Sequence, residues 1–504
     1  MVLAVAAGCG SPTSTSPRAS PTPAIAVPPS LVASVPPGAP AEDIHYFNEW
    51  PSPNNGLYNT RVATSPISST NVSKLKVAWT LPLTHTGASG RDFANPVIAN
   101  GVVFLQDGAS NVTAVSSATG HVLWTHMYSS PDYGPNGVTL AYGRVYGVTA
   151  NGVFALDSAT GHQVWYDTSF PGARFDIAPQ VANDKVFVAS ALTAGGGLIY
   201  ALDAGTGAAE WSFQTVADKT GQQLKATAGG AWDPFLIGPD GSLYAGTGNP
   251  YLSQQQAPAN PSRELYTDSV VKLSQATGQV EWYYQAFPDD FHDWDLQISP
   301  VLTVVAGRSM VLAAGKGGYV FALDPASGDL LWKTAVGTHN GHDQDDELAL
   351  EGKLQLQTPY LAYPGEAGGV ETNMAVADGI AYVPVVDLGT TYTSPTVVVG
   401  TSDFLGAKGE MVALDLATGR QLWAAKLQQA TYGGATVAGD LVFTTTFTGG
   451  LVALSRTDGS IAWTAQLPAG SNSTLAIAGD TLIAGAGLPL STTQQPAVVA
   501  YRLG

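Results

Sequence analysis

The sequence predicts an all-β protein: an eight-bladed β-propeller of four-stranded antiparallel blades, with its ring closed by the N- and C-terminal strands. Three observations predict this fold. One strand–turn–strand phrase recurs seven times, an eighth tryptophan strand stands alone near the start, and its missing partner strands stand at the end of the chain. A closed array of such repeats can form a single domain in a chain of 504 residues.

The repeated phrase reads A-L-D-x-x-T-G-x-x-x-W, with some positions varied. Its apolar residues before Asp alternate as a strand, and D-x-x-T-G is a tight turn whose Asp accepts N–H groups and whose Gly takes an angle that a side chain resists. The closing Trp has the area to pack between neighbouring sheets. The seven copies are residues 114–124, 155–165, 201–211, 272–282, 322–332, 413–423 and 453–463.

The eighth blade is expected to contain both chain ends. Trp79 stands in LKVAWTLP without the phrase before it, and AVVAYRLG at residues 497–504 resembles the strand that precedes a turn. We therefore expect the Trp79 strand to pair with C-terminal strands from about Ser473 onward. Such pairing closes the ring and removes exposed sheet edges.

Two steps between successive repeat tryptophans are longer than the others, from Trp211 to Trp282 and from Trp332 to Trp423. They contain loop-like segments, at residues 251–265 and in parts of 338–402. Extra length in a propeller lies in loops on its faces, where binding sites are built.

Composition excludes one class of partner. The chain has 21 basic and 39 acidic residues, for a formal net charge of −18. Because no run of Lys or Arg is long enough to follow a phosphate backbone, nucleic acid is not expected as a partner.

The N-terminus contains the only cysteine, Cys9, in MVLAVAAGCGS. A short apolar run before that Cys resembles a bacterial lipoprotein signal, in which Cys9 would be lipidated; a start codon assigned too far downstream would explain the missing basic residues. We interpret residues 1–9 as a truncated signal, 10–41 as a disordered Pro/Ser/Thr-rich linker and 42–504 as the propeller. This predicts an extracytoplasmic protein, anchored at Cys9 or secreted, whose lipid is its only membrane contact. The alternative is a free thiol in a disordered tail.

The candidate site lies in residues 229–321, the stretch that departs most from the repeat. It contains GGAWDPF, GTGNP, DDFHDWDLQ and GKGGYVF. Of the three tryptophans outside the repeat, two, Trp232 and Trp294, lie in this stretch. Their position indicates a role other than holding a blade.

These motifs resemble a known family. The blade phrase, NVSKLKVAW at residues 71–79, SLYAGTGNPY at 242–251 and the segment 265–302 are similar to the pyrroloquinoline quinone (PQQ)-dependent alcohol dehydrogenases, over nearly all of residues 50–504. The blade phrase alone is shared with non-enzymatic propellers, including the lipoprotein that assists outer-membrane protein assembly. The GTGNP and carboxylate segments are the more specific part of the resemblance.

The resemblance implies roles at matching positions. Trp232 matches the indole beneath the quinone, and Lys316 matches the cation that bonds the reactive quinone oxygens. Asp293 matches the aspartate proposed as the base, with Asp290 and Asp295 as alternatives. Asn249 matches an amide ligand of calcium, and with Asp293 it forms the expected calcium site. A flat aromatic neighbour, oxygen ligands, a carboxylate and a cation suit such chemistry.

The chain also departs from the family pattern. ALTAGGGLIY at residues 191–200 has no acid where the family has a calcium-ligating Glu, and GPNGVTLAYG at 134–143 lacks the Arg that holds a quinone carboxylate. The family has a pair of adjacent cysteines, which this sequence lacks because Cys9 is its only cysteine. For the same reason the printed sequence contains no C-x-x-C-H, the motif for covalently attached haem. Phe93 stands where the first unit usually has an acid, next to Asp92.

Structural roles are an alternative reading of the same residues. Trp232 could pack without a cofactor, Asn249 could form the turn before Pro250, and Lys316 could be an exposed turn residue. Asp293 could belong to a solvated acidic loop.

Four other polar residues have two readings each. THNGHDQDDE at residues 338–347 holds His339 and His342, which could bind a metal, although the segment reads as a polar loop. Glu371 and Asn373 could reach the central channel.

Two functions remain open at this point. The first is a PQQ-binding oxidoreductase acting on an alcohol or sugar with an unknown electron acceptor. The second is a non-catalytic propeller lipoprotein that binds a protein partner or assists assembly, an alternative that the departures favour.

Overall fold

The computed structural model describes residues 41–85, 87, 95–132, 134, 136–190, 197–217, 229–250, 264–393 and 401–504. It forms an eight-bladed β-propeller of four-stranded antiparallel sheets, as the sequence predicts. The expected signal with its lipidated Cys9, and the linker up to residue 40, lie outside the described residues, as do Asp92 and Phe93.

Each blade is an antiparallel meander whose short first strand lies nearest the axis, because the first strands of neighbouring blades contact one another around the ring. The strands of blades 1 to 4 are Val97–Ala99, Val102–Gln106, Val112–Ser116 and Val122–His126; Thr139–Ala141, Arg144–Thr149, Gly152–Asp157 and Gln163–Asp167; Gln180–Ala182, Lys185–Ser190, Leu198–Asp203 and Ala209–Gln214; and Leu236–Ile237, Ser242–Gly246, Ser269–Ser274 and Val280–Gln285. Those of blades 5 to 8 are Val301–Val305, Arg308–Ala314, Tyr319–Leu323 and Leu330–Ala335; Ala375–Ala377, Ile380–Asp387, Lys408–Asp415 and Gln421–Leu427; Thr436–Ala438, Leu441–Thr445, Gly450–Ser455 and Ile461–Gln466; and Ala476–Ala478, Thr481–Ala486, Ala497–Leu503 and Leu75–Pro82.

Blade 8 confirms the predicted closure. Its outer strand, Leu75–Pro82, pairs antiparallel with Ala497–Leu503, and Trp79 lies opposite Ala500. The two ends of the chain therefore share one sheet, and the ring has no open seam.

Contacts between blades explain the repeated phrase. In the turn of residues 157–161, Asp157 Oδ1 accepts hydrogen bonds from Thr160 N and Thr160 Oγ1, at 2.9 and 2.7 Å. Gly161 has a φ of +71°, and a Cβ there would lie 2.5 Å from the ring of Trp124 in the preceding blade. The Trp124 indole N–H donates to Ser158 O at 3.1 Å. The Gly and the Trp of the phrase thus form one interface between neighbouring blades.

The N-terminal segment 50–64 follows the inner ends of the blades in order. Trp50 pairs with Ile98 of blade 1, and the carbonyl of Pro51 accepts a bond from Leu140 of blade 2. Further carbonyls of the segment accept backbone N–H groups of blades 4 to 8, at Ile237, Leu302, Val376, Val437 and Gly479. One short segment therefore joins almost every blade near the axis.

The remaining elements lie between blades or at the start of the chain. Residues 338–402, parts of which are expected as loop, contain a helix and a two-stranded sheet as well as the first two strands of blade 6. No described helix is long and apolar enough to cross a membrane. These elements are the helices Ala41–His45 and Asp345–Leu350, the 3₁₀ helix Val72–Lys74, the strand Val62–Ala63 beside blade 7, and the strands Tyr360–Ala362 and Thr390–Tyr392.

Candidate functional site

The candidate site is an open cavity of about 360 Å³ near the axis, beside blades 4 and 5. Trp232 precedes the first strand of blade 4, Asp293 and Asp295 lie in the connection to blade 5, and Lys316 follows the second strand of blade 5. The predicted Trp232, Asp293 and Lys316 therefore meet at one place. The lining is Trp232, Asp293, Asp295, Gln297, Lys316, Glu366, Ala367 and Glu371.

Lys316 joins the two aspartates. Its Nζ lies 3.1 Å from Asp293 Oδ2 and 2.7 Å from Asp295 Oδ2, and its side chain is 12% exposed. Burial opposes the charge of the ammonium, but the neighbouring carboxylates raise the pKa of Lys316 well above its usual value. Lys316 is thus a fixed cation, not the exposed turn residue of the alternative reading.

Asn249 also binds both aspartates and is itself buried. Its side-chain amide donates to Asp293 Oδ1, and its backbone N–H donates to Asp295 Oδ1 at 2.7 Å. The expected pair Asn249 and Asp293 is therefore in direct contact. Asn249 therefore orients both carboxylates, and residues 247–250 form no regular turn, contrary to the alternative reading.

Exposure distinguishes the three aspartates proposed as the base. Asp290 is buried and accepts the backbone N–H groups of His292 and Trp294, at 2.8 and 2.6 Å, so it shapes the loop. The Asp295 side chain is 2% exposed and uses both oxygens on Asn249 and Lys316. Asp293 is 23% exposed and lines the cavity. Of the three, Asp293 is the carboxylate best placed to meet a substrate.

Two glycines allow the close packing of Asp295. A Cβ at Gly248 would lie 2.4 Å from Asp295 Oδ1 and 2.9 Å from the Trp232 indole nitrogen. A Cβ at Gly315 would lie 2.0 Å from the Asp295 carbonyl oxygen. The GTGNP and GKGG motifs therefore bring Trp232, Asp295 and Lys316 together through the space their glycines leave free.

The site holds more negative than positive groups. Four acids, Asp293, Asp295, Glu366 and Glu371, line the cavity with one lysine. Burial raises the pKa of Asp293 to about 7 against the opposing effect of Lys316, and burial raises that of Glu371 to about 7. Such an arrangement favours an added cation.

Asp268, which sequence reasoning missed, adds to this excess. It is fully buried, and neither of its carboxylate oxygens has a hydrogen-bond partner among the described residues. Burial, then the nearby Asp290 and Asp295, raises its pKa well above the usual value. The residue follows the 251–263 insertion and stands in a strand-like phrase, so only its charge in an apolar context (TDSVVKL) could have indicated it.

A second cavity of about 170 Å³ lies on the axis and shares Trp232, Gln297 and Glu371 with the first. Gln297 Nε2 donates to Glu371 Oε2 at 2.6 Å, and Asn373 Nδ2 donates to Asp233 at 3.0 Å. Both cavities contact Trp232, so this indole is a wall of the site. Glu371 and Asn373 reach the channel, as one of their two readings proposed.

The two histidines of the 338–347 segment have different surroundings. His339 pairs with Asp343 and contacts carbonyls of Val336 and Gly318. His342 pairs with Asp345, the first residue of the helix Asp345–Leu350. The segment is therefore helical only from Asp345 onward, and the reading as a polar loop holds for residues 338–344.

The donor set fits a cation that prefers oxygen ligands. Asp293, Asp295 and the Asn249 amide supply oxygens within one hydrogen-bonded group, and Asp268 adds a buried carboxylate close by. PQQ also carries carboxylates, and Lys316 is the one Lys or Arg that lines the described cavity. A bound divalent cation would balance these charges, and the Trp232 indole offers the flat wall that a planar cofactor needs.

Two protein-family models match parts of the chain. The PQQ family model for the glucose/ethanol/alcohol dehydrogenase β-propeller domain matches residues 50–139 and 170–338, which is just over half of the chain. A second model, outer membrane protein assembly factor BamB, matches residues 380–496.

Individual relatives agree with the first model. The quinohemoprotein alcohol dehydrogenase of Comamonas testosteroni is 27% identical over 370 residues, 64% of this chain and 51% of that protein. The quinohemoprotein alcohol dehydrogenase ADH IIB of Pseudomonas putida is 30% identical over 308 residues, 53% of this chain and 44% of that protein. The chain thus spans about half the length of these relatives.

A solved structure gives the same fold. The crystal structure of the Comamonas testosteroni quinohemoprotein alcohol dehydrogenase superimposes with a TM-score of 0.78 and 22% identity, covering 91% of this chain and 81% of that one.

Proposed function

The chain belongs to the PQQ-type glucose/ethanol/alcohol dehydrogenase β-propeller family, and on that premise we propose that it is an extracytoplasmic quinoprotein oxidoreductase that oxidises an alcohol or a sugar. One observation carries the proposal. Lys316 bridges Asp293 and Asp295 in a cavity whose wall is Trp232. The cavity thus contains a cation (Lys316), a carboxylate (Asp293) and an aromatic surface (Trp232). An alcohol-oxidising quinone site requires these three groups of the protein.

Each residue has a distinct part in this proposal. Asp293 accepts the proton of the substrate hydroxyl, since it is the most exposed of the three aspartates. Lys316 places a positive charge beside the position where negative charge develops. Trp232 forms the wall of the cavity against which the planar cofactor would lie. When bound, PQQ supplies the two-electron acceptor that no side chain provides.

The metal part of the proposal concerns Asn249 and Asp293, with Asp295 beside them. These residues offer the oxygen donors that calcium prefers, and a calcium ion would offset the excess of carboxylates. The acid that the family carries in residues 191–200 is absent from this sequence. Asp268 supplies a buried carboxylate near the same aspartates.

The rest of the proposal concerns the electron acceptor and the cellular location of the protein. The electron acceptor of this chain is unidentified, and the relatives described as quinohemoproteins have haem in their names. The resemblance of the N-terminal sequence to a lipoprotein signal supports the proposal of an extracytoplasmic location, with lipidation at Cys9 and a linker over residues 10–41. Mass spectrometry of the protein from a bacterial host would reveal the lipid at Cys9, and a Cys9→Ala variant would lose it.

A second candidate function is a non-catalytic propeller that binds a protein partner or assists assembly. The match of residues 380–496 to an outer-membrane assembly factor favours it. So does the missing acid in the third unit.

Titration of the purified protein with PQQ, with and without calcium, tests the two candidates. Absorbance and calorimetry should give saturable binding of one PQQ per chain, strengthened by calcium. A screen of alcohols and sugars with an artificial electron acceptor then identifies the substrate. No PQQ binding under either condition would refute the oxidoreductase and favour the protein-binding function.

A further inference from the structure

A second group of polar side chains lies beside the candidate site, formed by His292, His342 and Asp345. His292 Nε2 lies 3.0 Å from Asp345 Oδ2, and His342 Nδ1 lies 2.8 Å from the same oxygen. One ligand atom of each residue lies within 4.8 Å of the other two. Among the described residues, no other group of three His, Cys, Asp or Glu side chains meets this condition.

We propose that His292, His342 and Asp345 bind a divalent transition-metal ion of the zinc class. Two imidazole nitrogens and one carboxylate oxygen are a donor set that Zn²⁺ binds, whereas calcium prefers oxygen alone. Donors in a tetrahedral zinc shell are about 3.3 Å apart. The two histidine–aspartate distances are within about 0.5 Å of this value, and the two imidazole nitrogens, which lie within 4.8 Å of each other, would close around the ion. This inference is independent of PQQ binding.

The burial of the group supports the proposal. His292 and Asp345 have side chains 1% and 5% exposed, and His342 is 19% exposed, which leaves one side open to an arriving ion.

Aromatic residues fix the group in place. The ring of Tyr360 lies 4.9 Å from that of His342 and stacks on Tyr392 at 5.2 Å. Tyr392 Oη donates to the carbonyl of His292 at 2.9 Å. Both tyrosines belong to the two-stranded sheet of the insertion.

The site would join two separate parts of the chain, a connection between blades and an insertion. His292 immediately precedes Asp293, in the connection between blades 4 and 5, while His342 and Asp345 belong to the insertion after blade 5. A bound ion would cross-link the insertion to the loop that carries the proposed base. The ion is thus expected to stabilise the protein and to hold that loop.

The alternative is a metal-free network in which Asp345 Oδ2 accepts an N–H from each histidine. The distances suit this network too. In both cases His292 Nδ1 keeps no hydrogen-bond partner among the described residues. Metal binding itself therefore decides between them.

The test is a calorimetric titration of the EDTA-treated protein with Zn²⁺ in excess calcium, which occupies oxygen-only sites. We expect one Zn²⁺ per chain and a higher Tm with zinc. His342→Ala, at the half-buried position, should weaken binding by about tenfold or more, as should Asp345→Asn, which keeps the side-chain shape. His162→Ala, at an exposed turn, is the matched control and should bind as the original chain does.

Two results would overturn the proposal: the original chain binds no zinc, or both ligand variants bind it as tightly as the original chain. Circular dichroism of each variant checks its fold. Zinc-edge X-ray absorption of the unmutated one-to-one complex needs no variant. A first shell with two imidazoles supports the site, and a shell without imidazole refutes it.

Discussion

Lys316 lies closer to Asp295 than to Asp293: its Nζ is 2.7 Å from one carboxylate and 3.1 Å from the other. Asp295 is almost fully buried and has both oxygens engaged, so it holds the lysine in place. Asp293 shares the lysine but keeps an exposed face toward the cavity. This division of roles leads to the first prediction.

Asp293→Asn should leave PQQ binding measured without calcium nearly unchanged and reduce turnover by about 10²-fold or more, because the amide cannot accept the substrate proton. Binding is measured by titration and turnover with an artificial acceptor. Asp295→Asn is the comparison, and it should also weaken binding, since Asp295 positions both Asn249 and Lys316. A fully active Asp293→Asn protein would refute the assignment of the base.

Trp232→Ala should abolish saturable PQQ binding, because it removes the flat wall shared by the two cavities. Trp232→Phe keeps an aromatic surface and should retain weaker binding. Calorimetry distinguishes the two variants. Equal binding by Trp232→Ala and the original chain would mean that the indole only packs.

Gly248→Ala should disturb the site more than the fold. The new Cβ would overlap Asp295 Oδ1 and the Trp232 nitrogen, so PQQ affinity should fall by about tenfold while Tm changes little. Gly205→Ala is the matched control, since its Cβ would meet only Asp203 Oδ1, at 3.2 Å. Unchanged affinity in Gly248→Ala would show that Asp295 can move without consequence.

Arg61→Met should destabilise the propeller by about 3 kcal/mol or more. The fully buried guanidinium donates to Ala435 O, Pro53 O and Leu475 O, and these acceptors would lose their partner. Arg308→Met, at a side chain 60% exposed, should change stability by less than about 0.5 kcal/mol. Denaturant unfolding measures both, and similar midpoints for the two variants would contradict the role of Arg61.

Stability should depend on pH through Asp176. Burial raises the pKa of this carboxyl from 3.8 to about 7, so the folded protein keeps a proton that the unfolded chain releases near pH 3.8. The free energy of unfolding attributable to Asp176 therefore falls as pH rises from about 4 to about 7, by up to about 4 kcal/mol. Asp176→Asn should remove this loss. Its stability relative to the original chain should rise across that range, and a constant difference would refute the prediction.

Most of the propeller could be predicted from the sequence because each repeat contains the residues that form its interface with the neighbouring blade. The Trp of one phrase packs against the Gly of the phrase in the next blade, so the same local pattern fixes both the strands and their packing. The closure at Trp79 and Ala500 could be predicted as well, since one strand lacked a partner at each end of the chain. The site motifs GTGNP, DDFHDWDLQ and GKGG likewise indicated where Asn249, Asp293 and Lys316 would meet.

The sequence alone predicts the frame: the blades, the turns, the ring closure and the residue types of the cavity. The folded chain adds which carboxylates face the cavity, that the buried Asp268 has no hydrogen-bond partner among the described residues, and that His292 meets His342 and Asp345. Repeats and unpaired terminal strands leave a pattern that predicts their contacts. His292 and Asp345 belong to no repeat and lie 53 residues apart, so their contact exists only in the folded chain.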